Sequence, residues 1–160
     1  MKKATIYIET SIISYLAARP SPDLITAAGQ QITAKWWQEY RGSHNIVTSA
    51  LVVTESGEGD PAAAKKRLDF LKGVPVLRIT EEAIELARAL TKDKRALPRK
   101  AEADALHIAI AAVHNADYLL TWNCRHIDNP STKPIVRNIC AVYGYVCPEI
   151  CTPFEIMEIG

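Results

Sequence analysis

From Ala105 to Val113 the chain reads ALHIAIAAV, apolar nearly all the way round a helix. A helix with so little polar face is largely buried, and other elements have to surround it. The stretch that follows, DYLLTW, reads as a strand, and the same succession recurs along the chain. ATIYIETSIISYL opens on a run that alternates as a half-buried strand and passes into a helical apolar pattern at Ile12, Ile13, Tyr15 and Leu16. NIVTS is a short strand and ALVVTES the helix after it. DPAAAKKRLDFLKG is a helix started by Asp60 and Pro61 and closed by Gly73. VPVLRI is short and extended, EEAIELARAL helical after Thr80, TKPIVRNICAVYG helical, and YVCPEIC a last strand. Thr152, Pro153 and Glu155 then spell a capping box. Strands alternating with helices imply an α/β fold whose parallel sheet is covered on both faces.

One further segment, RPSPDLITAAGQQITAKWWQEYR, predicts a long amphipathic helix whose apolar stripe runs through Leu24, Ala28, Ile32 and Trp36. Trp37 lies about 100° off that stripe. Trp37 or Tyr40 is therefore expected to contribute to a protein contact, unless both aromatics are buried within the monomer.

With 160 residues and 48% hydrophobic content, the chain is expected to form one domain spanning 1–160. Its apolar runs are broken before the ~18 residues of a spanning helix, and MKKATIYIETS lacks the apolar core of a signal peptide. The expected location is the cytoplasm. Cys124, Cys140, Cys147 and Cys151 lack a zinc site's usual spacing and read as free thiols of a reducing compartment. The net charge of +1 is uninformative about nucleic acid, but TKDKRALPRK sets Lys92, Lys94, Arg95, Arg99 and Lys100 against Asp93 alone. That run is either a phosphate-contacting patch or a solvated loop.

The acidic residues carry the chemistry. Glu9 ends the first strand, where an open α/β sheet places its ligand crevice. Glu55 stands where ALVVTES breaks into Gly, Glu and Asp, with Glu58 on the surface and Asp60 as a cap. Asp104, in the first turns of the buried helix, either answers the helix dipole or carries a charge that needs a partner or a metal. His107, one turn on, reads as a neutral core histidine bonded to backbone, and Glu102 as solvated. The strand DYLLTW delivers Asn123 to the edge that holds Glu9. Carboxylates converging without a histidine-rich ligand set suit a hard divalent cation, Mg²⁺ or Mn²⁺, and such ions favour phosphate chemistry. The chain shows no nucleophile elbow, Gly-rich phosphate loop or H-E-x-x-H motif.

Taken together, IYIETSIISYL, VTSALVVTESGEGD, ADALHIAIAAVHNADYLLTWN and PEICTPFEI resemble the PIN-domain family, and especially its VapC-type toxins from toxin-antitoxin modules. The resemblance covers nearly the whole chain. It implies a PIN-like three-layer fold with a central parallel sheet of four to five strands flanked by helices. It also implies a Mg²⁺- or Mn²⁺-dependent endoribonuclease acting on an RNA substrate, with an antitoxin protein as partner and a homodimer as assembly. The family's acidic positions fall on Glu9, Glu55 and Asp104, and its small hydroxyl on Thr10 or Ser11. Two departures stand out: Glu9 replaces the usual Asp and extends the carboxylate by ~1.5 Å, and the fourth position, often acidic, is Asn123. Asp128, in the loop beyond, is a better substitute for that missing acid than Asp117, which begins the strand at the far end. Arg95, Arg99 and Lys100 are expected to guide the RNA backbone toward Asp104. The alternative is a catalytically weak or inactive PIN-like domain that binds RNA or a protein without cutting. A phosphoryl-transfer enzyme is disfavoured, because the first strand ends in Glu9 without a D-x-D-x-T pattern.

Overall fold

Ile6, Tyr7 and Ile8 are all sealed from solvent, so the half-buried alternation expected of the first strand, β1 (Thr5–Ile8), gives way to burial on both faces. The reason is position: β1 is the middle strand of the sheet. In this computed structural model, which describes residues 2–159, it pairs in parallel with β2 (Asn45–Ser49) on one side and β4 (Tyr118–Leu120) on the other. Ile6 stands opposite Ile46 and Tyr118, and Tyr7 opposite Val47 and Leu119. Strands β3 (Val76–Leu77) and β5 (Glu149–Cys151) complete a five-stranded parallel sheet in the order β3-β2-β1-β4-β5.

Helices flank the sheet: α1 (Thr10–Ala17), α2 (Leu24–Glu39), α3 (Ala50–Ser56), α4 (Pro61–Leu71), α5 (Glu81–Lys92), α6 (Glu102–Val113), α7 (Lys133–Val142) and α8 (Pro153–Ile159). The apolar helix that opened the reading is α6. It buries Ala105, Ile108, Ala109, Ile110, Ala111 and Ala112 and packs on α5, whose Leu86 and Leu90 are fully buried. Local start signals hold. Asp23, Asp60 and Thr80 cap α2, α4 and α5 by accepting from the backbone N–H of Thr26, Ala63 and Ala83, each cap worth typically ~1 kcal/mol. The capping box forms as spelled: Thr152 N–H donates to Glu155, and Glu155 N–H to the Thr152 hydroxyl. Cys140 and Cys151 are buried, and all four cysteines are free. Among the described residues no helix is long and apolar enough to cross a membrane.

The reading of α2 needs correction. Leu24 is 86% exposed and Ala28 is exposed too, while the helix buries Gly29, Thr33, Trp36 and Trp37. The rings that fill this face come from elsewhere: Tyr15 and Trp122 stack at 5.6 Å with 7° between planes. Trp122 donates its indole N–H to the Thr33 hydroxyl. A Cβ at Gly29 would lie 2.9 Å from Tyr15. In the N-terminal half of α2 the inward face is therefore small and polar while Leu24 and Ala28 face out; Ile32 is half-buried, and only at Trp36 does the expected stripe reach the core. The contact expected of Trp37 is corrected as well. It is buried within the chain, edge-on to Phe70 and beneath the Arg41 guanidinium, and Tyr40 is half-buried beside it.

Candidate active site

Glu9 directly follows β1 and caps the N-terminus of α1. One of its oxygens, Oε1, takes every donor: the Ser11 N–H at 2.9 Å, the Ser11 hydroxyl, and the Thr121 hydroxyl at 2.8 Å. The side chain is 5% exposed. Burial pushes its carboxyl above the usual range, against the pull of His107 and of these donors, and the neighbouring Glu55 pushes the same way as burial.

Glu55 sits near the end of α3, where its Oε1 accepts from the Thr10 hydroxyl and lies 2.7 Å from His107 Nε2. Burial acts to raise this carboxyl too, but His107 and Thr10 outweigh it and the net direction is downward. Both hydroxyls after the first acid thus serve a carboxylate, Thr10 that of Glu55 and Ser11 that of Glu9. Ser11 also accepts the Trp122 N–H at 2.8 Å, which ties the aromatic stack to Glu9.

Asp104, in the first turn of α6, joins the same network from the other side. Its Oδ2 lies 3.0 Å from His126 Nδ1. The His126 N–H donates to Asn123 Oδ1 at 3.0 Å, and the Asn123 N–H to the Thr121 hydroxyl at 2.9 Å, one bond from Glu9. Glu9 and Glu55 therefore neighbour one another at the carboxyl edge of the sheet, and Asp104 is linked to Glu9 through His126, Asn123 and Thr121. Asn123 is present there as well, with its oxygen engaged in the turn.

Other expectations change. His107 touches neither backbone nor Asp104: its Nδ1 meets the Tyr7 hydroxyl at 2.7 Å and its Nε2 meets Glu55, contacts between residues far apart in sequence. Asp128 does not stand in for the missing fourth acid, because it is nearly buried and pairs with Lys133 at 2.6 Å. Asp117 accepts the Thr5 N–H at 2.8 Å, at the far end of the sheet, and Glu102 is exposed. The basic run divides. Arg95 is bound to Asp93 at 2.8 Å and lines a groove of about 540 Å³ between α5 and α7. Arg99 and Lys100 are exposed on the 3₁₀ turn that leads into α6 and Asp104. His107, Tyr7, Thr121 and His126 complete this network and were not assigned from the sequence; the one-turn spacing of Asp104 and His107 pointed to a pair that does not form.

The three carboxylates share a pattern. Among the described residues, no protein donor reaches Glu9 Oε2, Glu55 Oε2 or Asp104 Oδ1, while the other oxygen of each is held. Hydrogen-bonded carboxylates with one oxygen left over are how ligands of a hard cation are oriented. Glu55 also raises the cost of ionising Glu9, which a cation would relieve. The residues fit such an ion by donor chemistry. They are not closed into a cage: among the described residues no group of three or more His, Cys, Asp or Glu is gathered tightly enough to hold a metal ion.

Residues 6–128 match the PIN domain family, and the chain belongs to that family. Its fold is similar to that of VapBC2 from Rickettsia felis, solved bound to a promoter DNA fragment, at 18% identity, TM-score 0.56, 79% of this chain and 94% of that one. It is also similar to VapC20 from Mycobacterium tuberculosis, described as a sarcin-ricin loop cleaving toxin, at 17% identity, TM-score 0.57, 88% of this chain and 96% of that one. No curated protein matches the chain in sequence.

Proposed function

We propose that the protein is a metal-dependent endoribonuclease, the toxin of a toxin-antitoxin pair. The observation that carries this reading is the trio Glu9, Glu55 and Asp104, each with one oxygen anchored by the protein and one left free. Mg²⁺ or Mn²⁺, when bound, supplies activation of water and charge stabilisation at the phosphodiester. The chain's own residues do the rest. Glu9, Glu55 and Asp104 offer the ligand oxygens; Ser11, Thr121, Thr10, His107 and His126 fix their orientation. Arg99 and Lys100 stand where a phosphate backbone approaching Asp104 passes.

A protein partner and a homodimer are part of the proposal, as is a cytoplasmic location. Support for a partner comes from the exposed Leu24 and Ile25 at the start of α2 and Val142 and Val146 at and just after the end of α7, and from the similarity to VapBC2.

The second reading, an RNA- or protein-binding domain without cleavage, is favoured by two observations: the Asn123 oxygen is already engaged, and the carboxylates are not drawn into a cage. Incubation of labelled RNA separates the two. The expected result is cleavage that requires Mg²⁺ or Mn²⁺ and drops by at least two orders of magnitude in Asp104→Asn. RNA binding without cleavage by the wild-type protein, at any divalent ion concentration, would establish the second reading.

A further inference from the structure

His107 is 2% exposed and uses both ring nitrogens on side chains from other elements. Its Nε2 is 2.7 Å from Glu55 Oε1, and its Nδ1 is 2.7 Å from the hydroxyl of Tyr7, itself fully buried in β1. That hydroxyl is 2.8 Å from Ser49 Oγ, and Ser49 Oγ accepts the Val52 N–H as the cap of α3, the helix that carries Glu55. The hydrogen bonds therefore close a circuit through β1, α6 and α3.

Proton counting gives the circuit a direction. An ionised Glu55 only accepts, so His107 Nε2 must carry a proton. With a neutral ring, Nδ1 accepts from the Tyr7 O–H, the Tyr7 oxygen accepts from the Ser49 O–H, and Ser49 Oγ accepts from Val52. Every proton then has an acceptor. With a doubly protonated ring, Nδ1–H would donate to Tyr7 and Tyr7 to Ser49, leaving the Ser49 hydroxyl proton without an acceptor in a fully buried residue, an arrangement that buried polar groups avoid.

We propose that His107 is a positioning residue for Glu55: fixed as the Nε2–H tautomer by Tyr7, it clamps Oε1 and leaves Oε2 as the oxygen offered to a divalent cation. The proposal rests on reading the carboxylates as a cation site, and it adds the device that sets which oxygen of Glu55 is available. Outer hydrogen-bond partners of ligating groups typically change metal affinity by about 10–100-fold when removed, and that is the effect expected here.

Two measurements test it. The first needs no variant: imidazole ¹⁵N spectra of the metal-free protein at neutral pH should show His107 as the Nε2–H tautomer, and an Nδ1–H tautomer or an imidazolium would overturn the proposal. The second is Mn²⁺ titration by calorimetry. His107→Leu should weaken binding about 10–100-fold, while His107→Gln, whose amide N–H can replace Nε2–H, should stay within about threefold of wild type. Should His107→Leu fail to fold, Tyr7→Phe, which leaves His107 Nδ1 without its donor, serves in its place, with Mn²⁺ binding weakened. Wild-type affinity in His107→Leu, or in Tyr7→Phe if that is the variant used, would overturn the proposal alone. No Mn²⁺ binding by the wild-type chain would overturn the cation reading and the proposal with it.

Discussion

Replacing Thr121 by Val deletes one hydroxyl and keeps the shape of a fully buried side chain. Two contacts go with it: the donor to Glu9 Oε1 at 2.8 Å and the acceptor for the Asn123 N–H at 2.9 Å. A hydrogen bond to a charged group is worth about 1.5–3 kcal/mol, and the half-buried Asn123 amide, which water can reach, adds about 1 kcal/mol. The expected loss is about 2–4 kcal/mol, or roughly 4–15 °C in Tm for a chain of this size. Its pH dependence is the sharper signature. The Glu9 carboxyl is raised in the folded state by burial, so in wild type it favours folding below its unfolded value, and that contribution is lost as pH rises through the raised folded value. Without Thr121 the folded value rises further. The penalty of the substitution therefore grows as pH rises through the Glu9 titration and shrinks toward about 1–2 kcal/mol in acid, where only the Asn123 amide and a neutral hydrogen bond are lost. Urea unfolding of both proteins in chelator, from pH 4 to 8, measures it. A penalty below about 0.5 kcal/mol, or one that grows toward low pH, would refute the assignment of Thr121 as a donor to an ionised Glu9.

Gly29→Ala sets two effects against each other. Ala gains about 1 kcal/mol of helix propensity, but its Cβ would lie 2.9 Å from a Tyr15 ring held by its stack on Trp122, and such overpacking costs about 1–3 kcal/mol; thermal unfolding should show a net loss of up to about 2 kcal/mol, and a raised Tm would contradict the packing described. If Arg99 and Lys100 contact RNA phosphates, replacing both by Ala should make the log–log salt dependence of RNA binding shallower by about 0.7 per contact. Arg95→Ala, which removes a guanidinium already paired with Asp93, should leave the slope unchanged, and equal effects from the two changes would return the whole run to a solvated loop.

Local physics made much of the fold legible. The caps at Asp23, Asp60 and Thr80, the box at Thr152, and each strand-to-helix step are set by residues within a few positions of one another, and the structure shows them as read. Glu9, Glu55 and Asp104 stood out as candidates because each interrupts an apolar pattern at an element boundary. What failed was long-range. The buried face of α2 depends on Tyr15 and Trp122, which reach it from outside the helix, so periodicity placed Trp36 in the core correctly but Leu24 and Ala28 wrongly. His107 read as a core histidine because its partners, Tyr7 and Glu55, are 100 and 52 positions away. Asp128 read as a spare acid because its neutralisation by Lys133 depends on how the loop turns into α7.

The most direct test of the site is a crystal grown with Mn²⁺ and measured at a wavelength where manganese scatters anomalously. The expected result is an anomalous peak bonded at about 2.1 Å to Glu9 Oε2, Glu55 Oε2 and Asp104 Oδ1, the oxygens that have no protein donor, with Ser11, Thr121, Thr10, His107 and His126 still holding the others. An ion held instead through the donor-bearing oxygens or by Asp128, or no peak at this edge of the sheet at saturating Mn²⁺, would contradict it.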